Sequence, residues 1–130
     1  MIKLVMAGAA GRMGAIILRL AGQDKVFKIV GGLEQRGHAA LGQDLGPVIG
    51  RDLMGVKISQ DATATLKEAD VLIDFSHFSA LPENLKAAVK TRTAYVIGTT
   101  AIPQAMLKQI QLASRKIPIV QSPNMSVGVN

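Results

Sequence analysis

Residues 8–14 read Gly8-Ala9-Ala10-Gly11-Arg12-Met13-Gly14, and they stand between two apolar stretches. Residues 2–7 before them have the short apolar pattern of a buried strand, and residues 15–20 after them begin an apolar helical pattern. Glycines in a strand–turn–helix unit let backbone N–H groups and a helix N-terminus approach a pyrophosphate. The spacing is G-x-x-G-x-x-G rather than G-x-G-x-x-G, so the glycines alone leave open a tight turn in some other α/β domain.

A carboxylate follows the second apolar stretch at the distance that a dinucleotide site requires. Residues 26–33 predict a strand, and Glu34 comes directly after it, about 20 residues beyond the glycine turn. In dinucleotide-binding folds an acidic residue at this strand tip accepts hydrogen bonds from the adenosine ribose. The alternative for Glu34 is a solvated loop residue, but the strand and the glycine turn together favour the ribose role.

Composition indicates one globular domain. The chain has 130 residues, of which 48% are hydrophobic and 3% aromatic. That is enough for one packed core and argues against disorder. The sequence holds no cysteine, which excludes disulfides and thiolate metal sites. It shows no signal-peptide pattern, and no apolar stretch approaches the roughly 20 residues that a transmembrane helix needs. We therefore expect a cytoplasmic protein without a membrane partner.

The formal net charge is +6, from 15 basic and 9 acidic side chains. The basic residues are scattered along the chain with no run longer than two, and no aromatic platform for stacking bases lies among them. A nucleic-acid partner is therefore not favoured. The excess charge is interpreted as a solvated surface and as a positive field that attracts an anionic cofactor or substrate.

Apolar strands alternate with helical stretches along the chain. This pattern predicts an α/β fold of Rossmann type, a doubly wound parallel sheet in three α/β/α layers. The predicted strands are 2–7, 26–33, 54–58, 69–75, 94–97 and 117–120. The predicted helices are 12–22, 63–67, 79–90 and 103–115, with an irregular segment over 35–53. The short strand 54–58 is placed near a sheet edge, and Asp61 and Ser79 are predicted helix N-caps. Residues 1–130 are expected to form one dinucleotide-binding domain.

Five predicted strand ends carry small or polar residues. They are 8–14, Glu34, 75–77, 98–100 and 122–124. Because ligands of open parallel sheets bind beyond the carboxyl ends of the strands, these segments indicate one groove long enough for a dinucleotide. The aspartates and histidines lack the spacing of metal ligands, so no metal site is predicted.

Four segments resemble the N-terminal domain of the dihydrodipicolinate reductase family, the 4-hydroxy-tetrahydrodipicolinate reductases. They are 7–14, 74–76, 96–100 and 122–130. The last two are more specific than the glycine motif, and together the four span the chain. The resemblance implies an NAD(P)H-dependent oxidoreductase of diaminopimelate and lysine biosynthesis, with NADPH or NADH as the hydride donor.

The resemblance also implies a role for each binding residue. The pyrophosphate contacts are Gly8, Ala9, Ala10, Gly11, Arg12 and Met13, and Glu34 binds the ribose. The nicotinamide end is lined by Phe75, Ser76, Gly98, Thr99, Thr100, Ser122, Pro123, Asn124 and Met125. The Thr100 hydroxyl is expected to hold the nicotinamide carboxamide or a substrate carboxylate. Capping of the helix that Pro103 opens is the alternative for Thr99 and Thr100.

Two positions depart from the family pattern. Gln35 stands where many members carry an arginine that meets a 2′-phosphate, and Arg36 comes one residue later. The preference between NADH and NADPH therefore stays open, and use of both is expected. His77 stands where some relatives place an arginine, and it either packs on the adenine or has no role. His38 lies in a glycine-rich loop and is interpreted as solvated surface.

The resemblance further implies a second domain that carries a His-His pair, a lysine and the sheet that forms a tetramer. These 130 residues are expected to lack it, so no catalytic residue is assigned in this chain. The chain alone is expected to bind cofactor as a monomer or weak dimer without turning over its small dicarboxylate substrate. The intact enzyme is expected to be a homotetramer.

Three other functions remain open from the residues. The first is the cofactor domain of another two-domain dehydrogenase, of the aspartate or homoserine type, although residues 122–130 disfavour it. The second is a non-enzymatic NAD(H)-sensing domain, which would use the same glycine turn. The third is a flavodoxin-like or response-regulator domain, which would lack the ribose carboxylate.

Overall fold

The computed structural model describes residues 1–121. The strands in this part of the chain are β1 (Ile2–Ala7), β2 (Phe27–Leu33), β3 (Ile58–Ser59), β4 (Val71–Asp74), β5 (Ala94–Ile97) and β6 (Ile119–Gln121). The helices are α1 (Arg12–Gly22), α2 (Leu45–Val48), α3 (Ala62–Leu66), α4 (Leu81–Thr91) and α5 (Gln104–Ala113), and a 3₁₀ turn, Phe78–Ala80, precedes α4.

The described strands form one parallel sheet in the order β3-β2-β1-β4-β5-β6. From the central strand β1, the strands β2 and β3 are added on one side and β4, β5 and β6 on the other, so the direction of addition reverses between β1 and β4. This order is that of the doubly wound dinucleotide-binding fold, and it differs from the flavodoxin-like order. The predicted Rossmann-type fold is confirmed, and the predicted edge position of the third strand is confirmed as well.

Helices cover both faces of the sheet and give it three layers. On one face α3, α4 and α5 contribute Leu66, Leu85 and Ile110 to a core with Val5 and Tyr95 of the strands. On the other face α1 and α2 contribute side chains that pack with Met6 and Ile58; these are Leu18 and Leu45. Successive residues of β1 therefore enter opposite cores, as the alternating side chains of a strand covered on both faces require.

The predicted strand over 54–58 is wrong in its bounds. Only Ile58 and Ser59 pair with β2. The backbone before them bonds to the segment around Asp44 instead, because Met54 and Gly55 donate to its carboxylate at 2.8 and 2.7 Å. These donors are thereby unavailable to a sheet ladder, and the strand is short.

One predicted helix cap is confirmed and the other is wrong. Asp61 caps α3, and its carboxylate accepts the N–H of Ala64 at 3.0 Å. Ser79 does not cap the following helix, since it lies inside the 3₁₀ turn. The N-cap of α4 is Ala80, which offers no side-chain cap, whereas His77 caps the 3₁₀ turn because its ring nitrogen Nδ1 accepts the N–H of Ser79 at 3.1 Å.

Candidate dinucleotide-binding site

Backbone hydrogen bonds continue beyond the strands and hold their carboxyl ends at one level. They join Glu34 N to Ser59 O, Gly8 N to Leu33 O, Phe75 N to Ala7 O and Gly98 N to Asp74 O, at 3.0, 3.0, 3.1 and 2.8 Å. Four of the five segments singled out in the sequence therefore lie side by side at the carboxyl edge of the sheet. The fifth, with Ser122, Pro123, Asn124 and Met125, lies outside the described residues.

The three glycines of the turn have different reasons to be glycine. Gly8 has a φ of +80°, and a Cβ there would stand 3.0 Å from the backbone of Phe75. A Cβ on Gly14 would stand 2.1 Å from the carbonyl oxygen of Gly8. Gly11 has an ordinary φ of −80°, and its Cβ would meet that oxygen at 3.3 Å. The fold therefore demands Gly8 and Gly14, whereas Gly11 mainly keeps the outer surface of the turn bare.

The bare surface of the turn is the N-terminus of α1. Gly11 is the N-cap residue and offers no side-chain oxygen to the first turn of the helix, which also holds no acidic residue. The first N–H groups of an α-helix have no acceptor within the helix. Arg12, the exposed first residue of α1, adds a positive charge at this end of the helix. The helix N-terminus is thus a site of positive potential that suits an anion such as a pyrophosphate.

Glu34 places its carboxylate on the glycine turn. Its side chain is 8% exposed, and Oε2 accepts the N–H of Ala10 at 2.8 Å. On the other side, His38 Nε2 lies 3.9 Å from Oε1. His38 Nδ1 accepts the N–H of Ala40 at 2.9 Å, so the neutral ring carries its proton on Nε2, toward Glu34. His38 is exposed, as expected from the sequence, and one side of its ring faces Glu34.

A groove of about 820 Å³ opens beside Glu34, between the tips of β1, β2 and β4 and the start of α4. Its charged lining is mixed: Glu34, Asp61 and Glu83 are acidic, and Arg36, Lys86 and Lys90 are basic. Gln35 also lines it, together with Gly8, Ser76 and Ser79. The two residues next to Glu34 that bear on the cofactor preference, Gln35 and Arg36, thus both reach this space.

The segments after β4 and β5 are packed against each other. The ring of Phe75 covers Gly98 so closely that a Cβ there would stand 2.4 Å from Phe75 Cζ. The hydroxyl of Thr99 donates to the carbonyl oxygen of Ser76 at 3.1 Å. These contacts bring together four of the residues expected at the nicotinamide end, and they explain the glycine at position 98.

Asp74 lies beneath this pair of segments and is completely buried. One carboxylate oxygen, Oδ1, accepts the N–H of Ser76 at 2.8 Å and its hydroxyl, with Thr99 Oγ1 at 3.5 Å. The other, Oδ2, accepts Asn84 Nδ2 at 3.1 Å and the hydroxyl of Tyr95. This network links β4, β5, α4 and the loop after β5, and it satisfies a carboxylate that burial would otherwise penalise.

Tyr95 stays a neutral donor in this network. Burial, and next the negative charge of Asp74, raise the pKa of the Tyr95 phenol well above its usual range. Since only 1% of the residue is exposed, its hydroxyl has no access to solvent as an alternative partner. The Tyr95–Asp74 contact is thus a fixed hydrogen bond across two neighbouring strands.

Thr100 is exposed at the tip of β5, whereas Thr99 is buried. The alternative that these threonines cap a helix is wrong, because Pro103 is the N-cap of α5 and no side chain caps that helix. Ala101, the next residue, has a φ of +57°, a strained value for a residue with a Cβ. Thr100 is therefore an exposed residue that directly precedes a strained turn at the carboxyl edge of the sheet.

His77 is held by its own turn. Its Nδ1 contacts both the N–H and the hydroxyl of Ser79, and its ring lies 4.2 Å from the ring of Phe78, centroid to centroid. The imidazole is exposed but already oriented by these contacts. The structure gives His77 a local role as a cap, and its expected contact with an adenine stays a prediction.

Comparison with known proteins identifies the family to which this chain belongs. The family model described as "Dihydrodipicolinate reductase, N-terminus" matches residues 2–125. The chain belongs to the dihydrodipicolinate reductase family. The resemblance noted in the sequence is thus confirmed, and the aspartate and homoserine dehydrogenase alternatives fit this match less well.

Relatives named 4-hydroxy-tetrahydrodipicolinate reductase cover essentially all of this chain. The protein of Anaeromyxobacter dehalogenans strain 2CP-C is 40% identical over 130 residues, which are 100% of this chain and 48% of that protein. The protein of Parvibaculum lavamentivorans is 42% identical over 130 residues, 99% of this chain and 48% of its own length. The chain thus spans about half the length of these members of the dihydrodipicolinate reductase family.

A solved structure shows the same fold. The dipicolinate-bound dihydrodipicolinate reductase from Paenisporosarcina sp. TG-14 superposes with a TM-score of 0.76 at 19% identity. The match covers 98% of this chain and 49% of that one. At this identity the similarity supports the fold of this chain and carries no information about which ligands it binds.

Two further properties concern only residues 1–121. Within them no group of three or more histidine, aspartate or glutamate side chains has the arrangement of a metal site. No helix of this part of the chain has both the length and the apolar character needed to cross a membrane. The expected absence of a metal and the expected cytoplasmic location both stay predictions.

Sequence reasoning missed the network under the site. From the sequence, Asp74 is placed at the end of the predicted strand 69–75 and in the family-like segment 74–76, and no role is predicted for Asn84 or Tyr95. A signal was present, since an aspartate ends the otherwise apolar run Val71-Leu72-Ile73 and a lone tyrosine stands in the next apolar run. A charge at the end of a strand buried on both faces is unfavourable unless partners satisfy it, but the sequence does not say which residues they are.

Proposed function

We propose that this chain is the cofactor-binding domain of a 4-hydroxy-tetrahydrodipicolinate reductase and that it binds NADH or NADPH along the carboxyl edge of its sheet. The proposal rests chiefly on one observation: the carboxylate of Glu34 is fixed on the N–H of Ala10, directly beside the bare surface of Gly11. A ribose site and a pyrophosphate site thereby adjoin in the order in which a dinucleotide presents these groups.

The described residues fit such a cofactor. A Cβ on Gly11 would project from the outer surface of the turn, where the α1 N-terminus and Arg12 favour an anion. Glu34 offers a carboxylate with one oxygen held by Ala10 and the other beside His38, an arrangement that fixes its direction toward ribose hydroxyls. The groove beyond it has room for an adenosine moiety.

When bound, the nicotinamide ring would supply a hydride to the substrate. The task of this chain is to orient and shield that ring. The packed pair of Phe75 and Gly98 would form an apolar wall against one side of the ring and exclude water there. The exposed hydroxyl of Thr100 would hold the carboxamide or a substrate carboxylate. Ser122, Pro123, Asn124 and Met125 complete the proposed nicotinamide end.

We further propose that both NADH and NADPH are accepted. Glu34 suits the free 2′-hydroxyl of NADH, whereas Arg36 and Lys86 line the same groove and offer positive charge to the 2′-phosphate of NADPH. The two tendencies oppose each other, so neither cofactor is excluded. The ratio of the two dissociation constants measures the balance.

The remaining parts of the activity belong to the intact enzyme, as the relatives' length suggests. We propose that a further domain supplies the catalytic proton donor and the contacts of a homotetramer, and that the substrate is a small cyclic dicarboxylate. The positive net charge of +6 would favour the approach of such an anion. The 130-residue chain alone is proposed to be a monomer or weak dimer without turnover, in the cytoplasm.

Calorimetric titration of the chain with NADH and NADPH tests the cofactor proposal. We expect saturable one-to-one binding of each. Gly11→Val is expected to weaken binding by about a hundredfold or more, because the side chain fills the approach of the pyrophosphate. Glu34→Ala is expected to weaken it by about tenfold through loss of the ribose bonds.

Gly22→Val is the matched control for this experiment. Gly22 ends the same helix, and a Cβ there would meet only flexible side-chain ends, Arg51 Nη1 at 3.7 Å and Ile29 Cδ1 at 4.0 Å. We expect wild-type affinity for this variant. Equal affinity of the Gly11→Val variant and the wild type would refute the placement of the pyrophosphate, and binding that ignores Glu34 would refute the ribose site.

A further inference from the structure

The Phe75–Ser76 segment is the point at which three strand tips touch. A Cβ on Gly8 would stand 3.0 to 3.1 Å from its backbone, so the glycine turn rests directly on it. The ring of Phe75 covers Gly98, and the carbonyl oxygen of Ser76 accepts the Thr99 hydroxyl at 3.1 Å. The position of this segment therefore sets the position of the loop after β5 relative to the glycine turn.

Asp74 holds this segment from below. Its Oδ1 accepts two hydrogen bonds from Ser76 and a longer one from Thr99, and its Oδ2 is anchored by Asn84 and Tyr95. The anchors belong to α4 and β5, which contribute buried residues to the core. The carboxylate thus fixes the segments that contain Ser76 and Thr99 relative to the core.

Burying a charged side chain does not in general make a core more stable. Apolar side chains of similar volume fill such a site at equal or greater stability, because a buried carboxylate loses its hydration. What a fully bonded carboxylate adds is direction, since each oxygen fixes its donors in space. The donors here include two of the residues proposed to line the nicotinamide end, Ser76 and Thr99.

We propose that Asp74 is a positioning residue for the nicotinamide half of the cofactor site, acting through Ser76 and Thr99. The inference rests on the proposed function. The adenosine half depends chiefly on the bond between Glu34 and Ala10, which joins β2 to the glycine turn and shares no hydrogen bond with the Asp74 network. Ser76 and Asn84 of the network also line the groove beside Glu34. Both segments that Asp74 positions through Ser76 and Thr99 are proposed to contact nicotinamide, so loss of the network should weaken nicotinamide binding more than adenosine binding.

The test compares each cofactor with the same molecule lacking nicotinamide. Dissociation constants are measured for NADH and ADP-ribose, and for NADPH and ADP-ribose 2′-phosphate, with the wild type and with Asp74→Asn. The variant keeps the volume but turns one acceptor into a donor that faces other donors. We expect the affinity for NADH to fall by about tenfold or more, and that for ADP-ribose to change by less than about threefold.

Thr93→Val is the matched control for a loss of buried hydrogen bonds. Thr93 is fully buried just before β5, at the opposite end of the sheet, and its hydroxyl bonds the hydroxyl of Thr91 at 2.7 Å. This variant should be less stable than the wild type and yet keep the wild-type ratio of the NADH and ADP-ribose constants. A merely structural role of Asp74 would likewise leave that ratio unchanged.

Tyr95→Phe guards against failure of the first variant to fold. It removes one donor from Asp74 Oδ2 and keeps the ring that packs in the core. For this variant we expect the preference for NADH over ADP-ribose, measured as the ratio of their dissociation constants, to fall by about threefold. An unchanged preference in either folded variant overturns the inference, as does a wild type that binds ADP-ribose as tightly as NADH. A wild type that binds none of the four molecules instead refutes the proposed function.

Discussion

At the scale of single residues, the glycine turn separates requirements of the fold from requirements of a ligand. A Cβ on Gly14 would overlap the carbonyl oxygen of Gly8 at 2.1 Å, a contact that only a backbone shift relieves. Gly14→Ala is therefore expected to lower the free energy of unfolding by about 2–4 kcal/mol. Urea unfolding followed by circular dichroism measures this loss.

The control for Gly14→Ala lies in the same helix. Gly22→Ala adds the same methyl group where its nearest neighbour is the end of the exposed Arg51 side chain at 3.7 Å. A gain or loss within about 1 kcal/mol is expected there, since alanine favours the helix more than glycine does. A Gly14→Ala variant as stable as the Gly22→Ala variant would show that the turn adapts, and that the helix does not need to approach β1 so closely.

The sequence predicted these residues unevenly, for a physical reason. The glycine turn and Glu34 could be found because strand, turn and carboxylate follow in a fixed order along the chain. The Asp74 network could not, because its partners Asn84 and Tyr95 are 10 and 21 residues away and meet only after the sheet has formed. The exposed position of His38 was predicted, but its contact with Glu34 was not, since that contact depends on a turn whose geometry the glycine-rich sequence leaves open.

At the scale of elements, the segment between β2 and β3 depends on one carboxylate. Asp44 caps α2 through Gly46 at 2.8 Å, and it also accepts the N–H groups of Met54 and Gly55. The sequence predicted an irregular segment over 35–53 and a strand over 54–58. It gave no sign that Asp44 would take backbone donors ten and eleven residues away, and for this reason the predicted strand begins too early.

These bonds predict how acid affects the segment. The N–H of Met54, then that of Gly46, hold the pKa of the Asp44 carboxyl below its ordinary value. A pKa that is lowered in the folded state means that the unfolded chain binds the proton more readily. The stabilisation is therefore present above the ordinary carboxyl pKa and is lost as pH falls through the lower folded value.

Thermal unfolding between about pH 7 and pH 2.5 tests this expectation. Asp44→Asn should melt at a lower temperature than the wild type near neutral pH, because the amide cannot replace all the bonds of the carboxylate. The difference between the melting temperatures of the wild type and Asp44→Asn should become smaller near pH 2.5, where the carboxyl group of the wild type is becoming protonated. Asp52→Asn is the control, since the Asp52 side chain is exposed and accepts no hydrogen bond among the described residues. A difference in melting temperature that stays constant from pH 7 to pH 2.5 would contradict the proposed link between the ionisation of Asp44 and stability.

At the scale of the whole molecule, the proposed site is formed by several elements together and not by any one of them. Its parts come from the tips of β1, β2, β4 and β5, and backbone hydrogen bonds join each tip to its neighbour. The parallel order was predictable because alternating strands and helices permit few connections. The exact bounds of the strands were not, since tertiary hydrogen bonds such as those of Asp44 decide where pairing stops.

A ligand that spans all four tips must stabilise the whole sheet, because unfolding of any part of it destroys the site. At a free cofactor concentration about 100 times Kd, binding to the folded state alone adds about 2.7 kcal/mol. For a chain of this size the melting temperature should rise by roughly 8–12 °C in a single transition. Differential scanning calorimetry with and without NADH or NADPH measures the rise. Gly11→Val should melt a few degrees below the wild type without cofactor, because valine is a poor N-cap and its Cβ meets the Gly8 carbonyl oxygen at 3.3 Å. It should show no rise with cofactor, since it loses the pyrophosphate site. Two separate transitions, or a rise in the Gly11→Val variant equal to that of the wild type, would mean that the cofactor binds elsewhere than across the joined strand tips.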